Sequence, residues 1–117
     1  MLPPLLDFLA RHWRPLSILA VLALTLLSLL PMPAVSAAEG SDKLLHVIAW
    51  GLALLPATLA LGRAVLPVAT AFFVCGVAIE FIQPLSGRFF ELTDMLANAL
   101  GLILGALSGI ALRRLRA

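Results

Sequence analysis

The sequence predicts an all-α membrane protein, a four-transmembrane-helix bundle with a short N-terminal interfacial extension. Three observations carry this reading. Of 117 residues, 62% are apolar and 12% charged, about half the charged share of a soluble domain, and mean hydropathy is +1.12. A chain this short buries only about 60–70% of the surface it exposes unfolded, so water would meet a large apolar remainder. Gaps between charges divide the chain into four apolar blocks at 15–32, 44–62, 64–83 and 92–112, each close to the roughly 20 residues a helix needs to cross a bilayer. None of the blocks alternates with period two, and a helix satisfies its own backbone in lipid. This composition weighs against a soluble enzyme, a nucleic-acid binder and a disordered chain. The net charge of +2 gathers into no basic run or patch. The single cysteine, Cys75, excludes an intramolecular disulfide and any multi-cysteine metal site. It lies in an apolar run and reads as a buried spectator.

Residues 1–14 form the extension, with Leu2, Leu5, Leu6 and Leu9 interleaved with Arg11 and Arg14. Trp13 suits the headgroup level, and an interfacial anchor is the reading. The first block, 15–32, reads as a helix ended by Pro31 and Pro33. A signal peptide is its rival, with Val35 and Ala37 placed as the small residues before a cleavage site. The polar loop 34–43 leads to the second block, 44–62. Gly62 and Arg63 make a tight turn into the third, 64–83, and Pro84 to Gly87 a second turn. Pro56 and Pro67 are candidate kinks. The fourth block, 92–112, ends in a basic tail, 113–117. Six bases (Arg11, Arg14, Arg63, Arg113, Arg114 and Arg116) fall on one side of a chain that crosses four times, against Lys43 and Arg88 on the other. The positive-inside rule then places both termini in the cytoplasm of a bacterial cell, with a multi-pass protein in its inner membrane.

The remaining polar residues gather at the opposite side. Asp42, Lys43 and His46 open the second helix, Glu80 and Gln83 close the third, Arg88 follows, and Glu91, Asp94 and Asn98 open the fourth. An ionisable group inside a span costs about 2.5–3.5 kcal/mol at mid-helix, so such a concentration calls for a reason. Asp42 with His46 and Asp94 with Asn98 are i, i+4 pairs, and Glu80 with Gln83 is i, i+3. Each pair shares a helix face, so three helices can turn polar pairs towards one pocket. Asp42 and Asp94 also suit helix N-termini as caps. His46 beside carboxylates is a candidate general base, and Arg88 a candidate fork for phosphate. One histidine and three carboxylates on separate helices make a weak metal-ligand pattern, and neither a metal nor a cofactor is expected. On the fourth helix, Ala97, Gly101, Gly105 and Gly109 recur every four residues. This small-residue stripe permits close helix packing, within the bundle or in a dimer.

The series Asp42-Lys43-x-x-His46, Glu80-x-x-Gln83, Arg88 and Asp94-x-x-x-Asn98-x-x-Gly101-x-x-x-Gly105 resembles the VanZ-like family of small bacterial membrane proteins. The resemblance covers about residues 41–109. It implies a helical membrane domain whose polar residues belong together. The family is named after a protein associated with teicoplanin resistance, and glycopeptide resistance enters through that name alone. Val47 and Trp50 flank the histidine here, where more aromatic residues are expected.

The leading expectation is an outward-facing polar pocket for an anionic envelope lipid or a lipid-linked cell-wall precursor. Its ligand-binding residues are Asp42, Lys43, His46, Glu80, Gln83, Arg88, Asp94 and Asn98, with Arg88 and Lys43 meeting phosphate. The first alternative is an enzyme acting on a lipid headgroup, with His46, Glu80 and Asp94 catalytic. The second is a structural subunit that meets a membrane partner or its own copy through the glycine stripe. The expected partners are therefore membrane lipids or another membrane protein, not nucleic acid.

Overall fold

The computed structural model describes residues 2–29, 39–82, 85 and 92–115, with the side chains of 39–42 outside the description. Five helices make up nearly all of it: α1 (Leu2–Arg11), α2 (Trp13–Leu29), α3 (Glu39–Leu61), α4 (Leu66–Ile82) and α5 (Leu92–Leu112). Tight 3-10 turns occupy Gly62–Val65 and Arg113–Leu115. Two helical runs, Lys43–Ile82 and Leu92–Leu115, are long and apolar enough to cross a membrane, and the bent pair α1–α2 would make a third.

The helices are rich in leucine and alanine, whose propensity and apolar character both favour this conformation. Three threonine hydroxyls are satisfied at home, whereas the buried Ser17 hydroxyl of α2 has no hydrogen-bond partner among the described residues. Thr25, Thr58 and Thr70 each donate to the carbonyl one turn back, on Val21, Leu54 and Leu66, at 2.8, 3.1 and 2.9 Å, a bond that hides the hydroxyl from an apolar surround. Pro67 is the second residue of α4, where a missing N–H costs no helical bond. Pro56 lies inside α3 and removes one.

α1 and α2 meet at 80° with His12 at the corner. The backbone ladder reaches His12 from Phe8 and leaves it for Leu16, both at 3.1 Å. The His12 ring adds a bond from Nδ1 to the Phe8 carbonyl, 2.9 Å. The 40-residue run Lys43–Ile82 folds back on itself. A straight helix of that length would extend about 60 Å, yet the longest dimension of the molecule is 46 Å. Trp50 of α3 meets Phe72 of α4 edge-on, with ring centroids 6.4 Å apart. The reversal occurs at Gly62, whose φ of 59° is the left-handed conformation that ends a helix at little cost in glycine.

α3 is the central element. It packs most extensively on α5 and also meets α1 and α2. Trp50, Leu54, Ala57, Phe72, Ile79 and Leu102 form the main core. A smaller cluster at the other end seats Leu6 and Ala10 of α1 on Leu59. α3 and α5 run parallel at a constant offset of 54 residues, pairing Val47 with Gly101, Gly51 with Gly105 and Leu59 with Arg113. Leu19, Leu22 and Leu26 of α2, Leu52 of α3, Val74 of α4 and Leu107 of α5 point outwards and are exposed. Apolar outer faces of this extent mark a surface that is covered by something other than water, in keeping with membrane association.

Candidate functional site

Five of the polar residues singled out in the sequence lie at one end of the bundle. The first turns of α3 supply Lys43 and His46, the last turn of α4 supplies Glu80, and the first turns of α5 supply Asp94 and Asn98. Lys43 Nζ stands 2.8 Å from Asp94 Oδ1. The His46 ring donates from Nδ1 to Asn98 Oδ1 at 2.9 Å, and its Nε2 lies 3.9 Å from Asp94 Oδ2. One carboxylate therefore faces both a lysine and a histidine across the α3–α5 seam. Its place in the first turn of α5 puts the negative charge at the positive end of the helix dipole.

Asp94, Asn98 and Glu80 are buried, Glu80 to 1% exposure. Lys43 keeps 30% of its side chain exposed. A buried carboxylate with a half-buried ammonium is a one-sided arrangement. The acid is enclosed by the protein, while the lysine side chain reaches the surface of the cluster.

Gly76 lets α4 close over this cluster. A Cβ there would stand 3.0 Å from Asn98 Nδ2 and 3.5 Å from the Trp50 ring. Asn98 thus fills the space that the glycine leaves, with Trp50 as the apolar floor beneath it. Glu80 is one turn beyond Gly76, and Asp94 one turn before Asn98. The antiparallel register of α4 and α5 places the two acids at the same level.

Ala97, Gly101, Gly105 and Gly109 are buried, and the three glycines lie against α3. A Cβ on Gly101 would run into the Val47 carbonyl, and one on Gly109 would lie 2.5 Å from Thr58 Cγ2. The stripe therefore packs within the chain. Gly51 is its counterpart on α3, and the sequence reading passed over it because one glycine makes no stripe. Trp50, Gly76 and Arg113 were also missed as contributors to this arrangement. The visible signal for Gly76 was its i, i+4 spacing from Glu80, which puts both on one face of α4.

Gln83, Arg88 and Glu91 lie outside the described residues, as does the side chain of Asp42. The proposed cleavage segment around Val35 and Ala37, the turn from Pro84 to Gly87 and Arg116 also fall outside, apart from Leu85. Among the described residues no three His, Cys, Asp or Glu converge as a metal site would require.

Directly below the cluster, an open apolar groove of about 370 Å³ follows the α3–α5 seam, lined by Val47, Gly51 and Leu55 on one side and Leu104, Gly105 and Ser108 on the other. Lys43 and Val47 are i, i+4, so the lysine stands above the groove on the same face of α3. The chain matches no family model, and no curated protein or solved structure is similar to it.

Proposed function

We propose that this chain is a four-span bacterial inner-membrane protein whose outer-leaflet cluster engages the phosphate-bearing headgroup of an anionic envelope lipid or a lipid-linked cell-wall precursor. The spans are α2, the two arms α3 and α4 of the folded 40-residue run, and α5. Both termini lie on the cytoplasmic side, following the arginines. The observation that carries the reading is Lys43, anchored to buried Asp94 at 2.8 Å and standing above the apolar groove that begins at Val47. An ammonium at the mouth of an apolar groove suits an amphiphile with an anionic head and a hydrocarbon tail. The VanZ-like resemblance supports the grouping of Asp42, Lys43, His46, Glu80, Gln83, Arg88, Asp94 and Asn98 in one site, with Arg88 as a second hydrogen-bond donor to the phosphate. A link to glycopeptide resistance has no support beyond the family name.

A second reading is a membrane-embedded enzyme working on the same headgroup. The observation in its favour is the fixed His46 ring, with Nδ1 held by Asn98 and Nε2 turned to Asp94. That arrangement orients a histidine for proton transfer.

The test is thermal stabilisation of the purified protein by a polyprenyl diphosphate lipid in mild detergent, over and above the shift that phosphatidylglycerol gives. Stabilisation is expected in the wild type and in Lys43→Arg, and its loss in Lys43→Gln. An equal shift in Lys43→Gln overturns the reading. Turnover of either lipid, lost in a folded His46→Ala protein, selects the enzyme instead.

A further inference from the structure

The opposite end of the molecule carries a second, separate feature. α1 turns two apolar faces in different directions. Leu6 and Ala10 are buried on Leu59, whereas Leu2, Leu5 and Phe8, spaced by three, are 44%, 54% and 52% exposed. Arg11 continues that outward stripe at the next i+3 position. Because α1 meets α2 at 80°, it lies across the end of the bundle rather than along it.

The same end collects arginines from four elements. Arg11 ends α1, Arg14 opens α2, Arg63 sits in the α3–α4 turn and Arg114 follows α5, and all four are exposed. The contacts of α1 with the Arg113–Leu115 turn, and of Arg113 with Gly62, place these elements together. Arg14 also stands over the Trp13 ring at 5.4 Å. Asp7 is the only acid at this end among the described residues.

We infer that α1 is an in-plane amphipathic helix that, with Arg11, Arg14, Arg63 and Arg114, forms a docking surface for anionic phospholipid headgroups. An apolar stripe flanked by arginines is the pattern of a helix lying at the headgroup–acyl boundary. Each basic residue near an anionic leaflet adds to the attraction, and the attraction weakens with salt. Phosphate suits guanidinium through paired N–H donors. The exposed leucines and phenylalanine favour a lipid surface over a purely ionic partner, since they gain only where hydrocarbon receives them. The inference rests on the membrane reading but not on the headgroup site at Lys43, which lies at the other end.

The experiment reconstitutes the full chain in lipid nanodiscs of pure phosphatidylcholine and of phosphatidylcholine with phosphatidylglycerol. A higher Tm is expected with phosphatidylglycerol. Most of that increment should vanish in the Arg11→Gln/Arg63→Gln/Arg114→Gln protein or at high salt, and persist in Lys43→Gln. No increment, or one that survives the triple substitution, overturns the inference. An increment lost only in Lys43→Gln overturns it too and assigns the lipid to the other end. A second readout is independent of charge. A polarity-sensitive dye on Leu5→Cys, in a Cys75→Ala background, should report an apolar setting in nanodiscs. A water-like signal there overturns the in-plane placement.

Discussion

The carbonyl oxygen of Gly51 lies 2.5 Å from the point where a Cβ on Gly105 would stand. α3 and α5 thus touch backbone to backbone at this level. A rigid carbonyl cannot step aside as the end of a flexible side chain can.

Gly105→Leu should therefore destabilise the single chain by about 3 kcal/mol, the upper part of the usual overpacking range. Gly101→Leu should do the same through Val47. Unfolding in a denaturing detergent titration measures this. Leu107→Ala, on the exposed side of the same helix, should change stability by less than about 1 kcal/mol. A Gly105→Leu protein as stable as wild type would show that α3 and α5 do not pack in this way.

The Lys43–Asp94 pair should respond unequally to its two deletions. Lys43→Met leaves a buried carboxylate without the ammonium that stands 2.8 Å from it and should cost about 3 kcal/mol. Asp94→Asn leaves a lysine that can turn towards water, since 30% of its side chain is exposed, and should cost about 1 kcal/mol. The same titration reads both, and the order of the two values decides.

Arg113 Nη1 donates to the Leu59 carbonyl at 2.8 Å, taking up one of the carbonyls that the end of α3 leaves without an intrahelical donor. Arg113→Ala should cost about 2 kcal/mol, as for a hydrogen bond made by a charged donor. The exposed neighbour Arg114→Ala should stay within about 0.5 kcal/mol. Faster amide exchange in the turn Gly62–Val65 should accompany the first change and not the second.

Gly62→Ala should cost about 1–2 kcal/mol, because φ of 59° strains an L-residue. A Cβ would also stand 3.0 Å from the Arg113 guanidinium. The two substitutions share one contact, so their combined effect should fall short of their sum. Thermal unfolding of the two single variants and the double variant tests the coupling.

Asn98→Ala removes the acceptor for His46 Nδ1 and should cost about 1–3 kcal/mol. Gly76→Ala presses on the same amide and should alter the His46 ring environment without touching the histidine. A histidine NMR signal that shifts in both variants supports this, and one indifferent to Gly76→Ala argues against it.

Much of the helical character was legible because composition alone forces it. Few charges in a short chain weigh against a soluble fold, and runs of leucine and alanine without period two favour helix. The concentration of Lys43, His46, Glu80, Asp94 and Asn98 was equally visible, since each stands out against an apolar background. Helix starts were less legible. α3 begins at Glu39, five residues before its apolar block, because a helix can extend into water beyond the stretch that lipid demands. The mates were not legible either. Lys43 could face a headgroup or an acid, and only the register of α3 on α5 brings it to Asp94.

The sequence by itself determined that this chain is helical, apolar on its outer faces and polar at a few chosen places. Those properties follow from transfer free energy and local spacing, which each segment carries alone. The tertiary structure decided which of those places meet. It turned the glycine stripe inwards onto Gly51, made Arg113 a cap for α3 as well as a basic residue of the tail, and set Lys43 above an apolar groove. These depend on one distance, the close approach of α3 and α5. That distance is set jointly by two surfaces 54 residues apart and is written in neither of them.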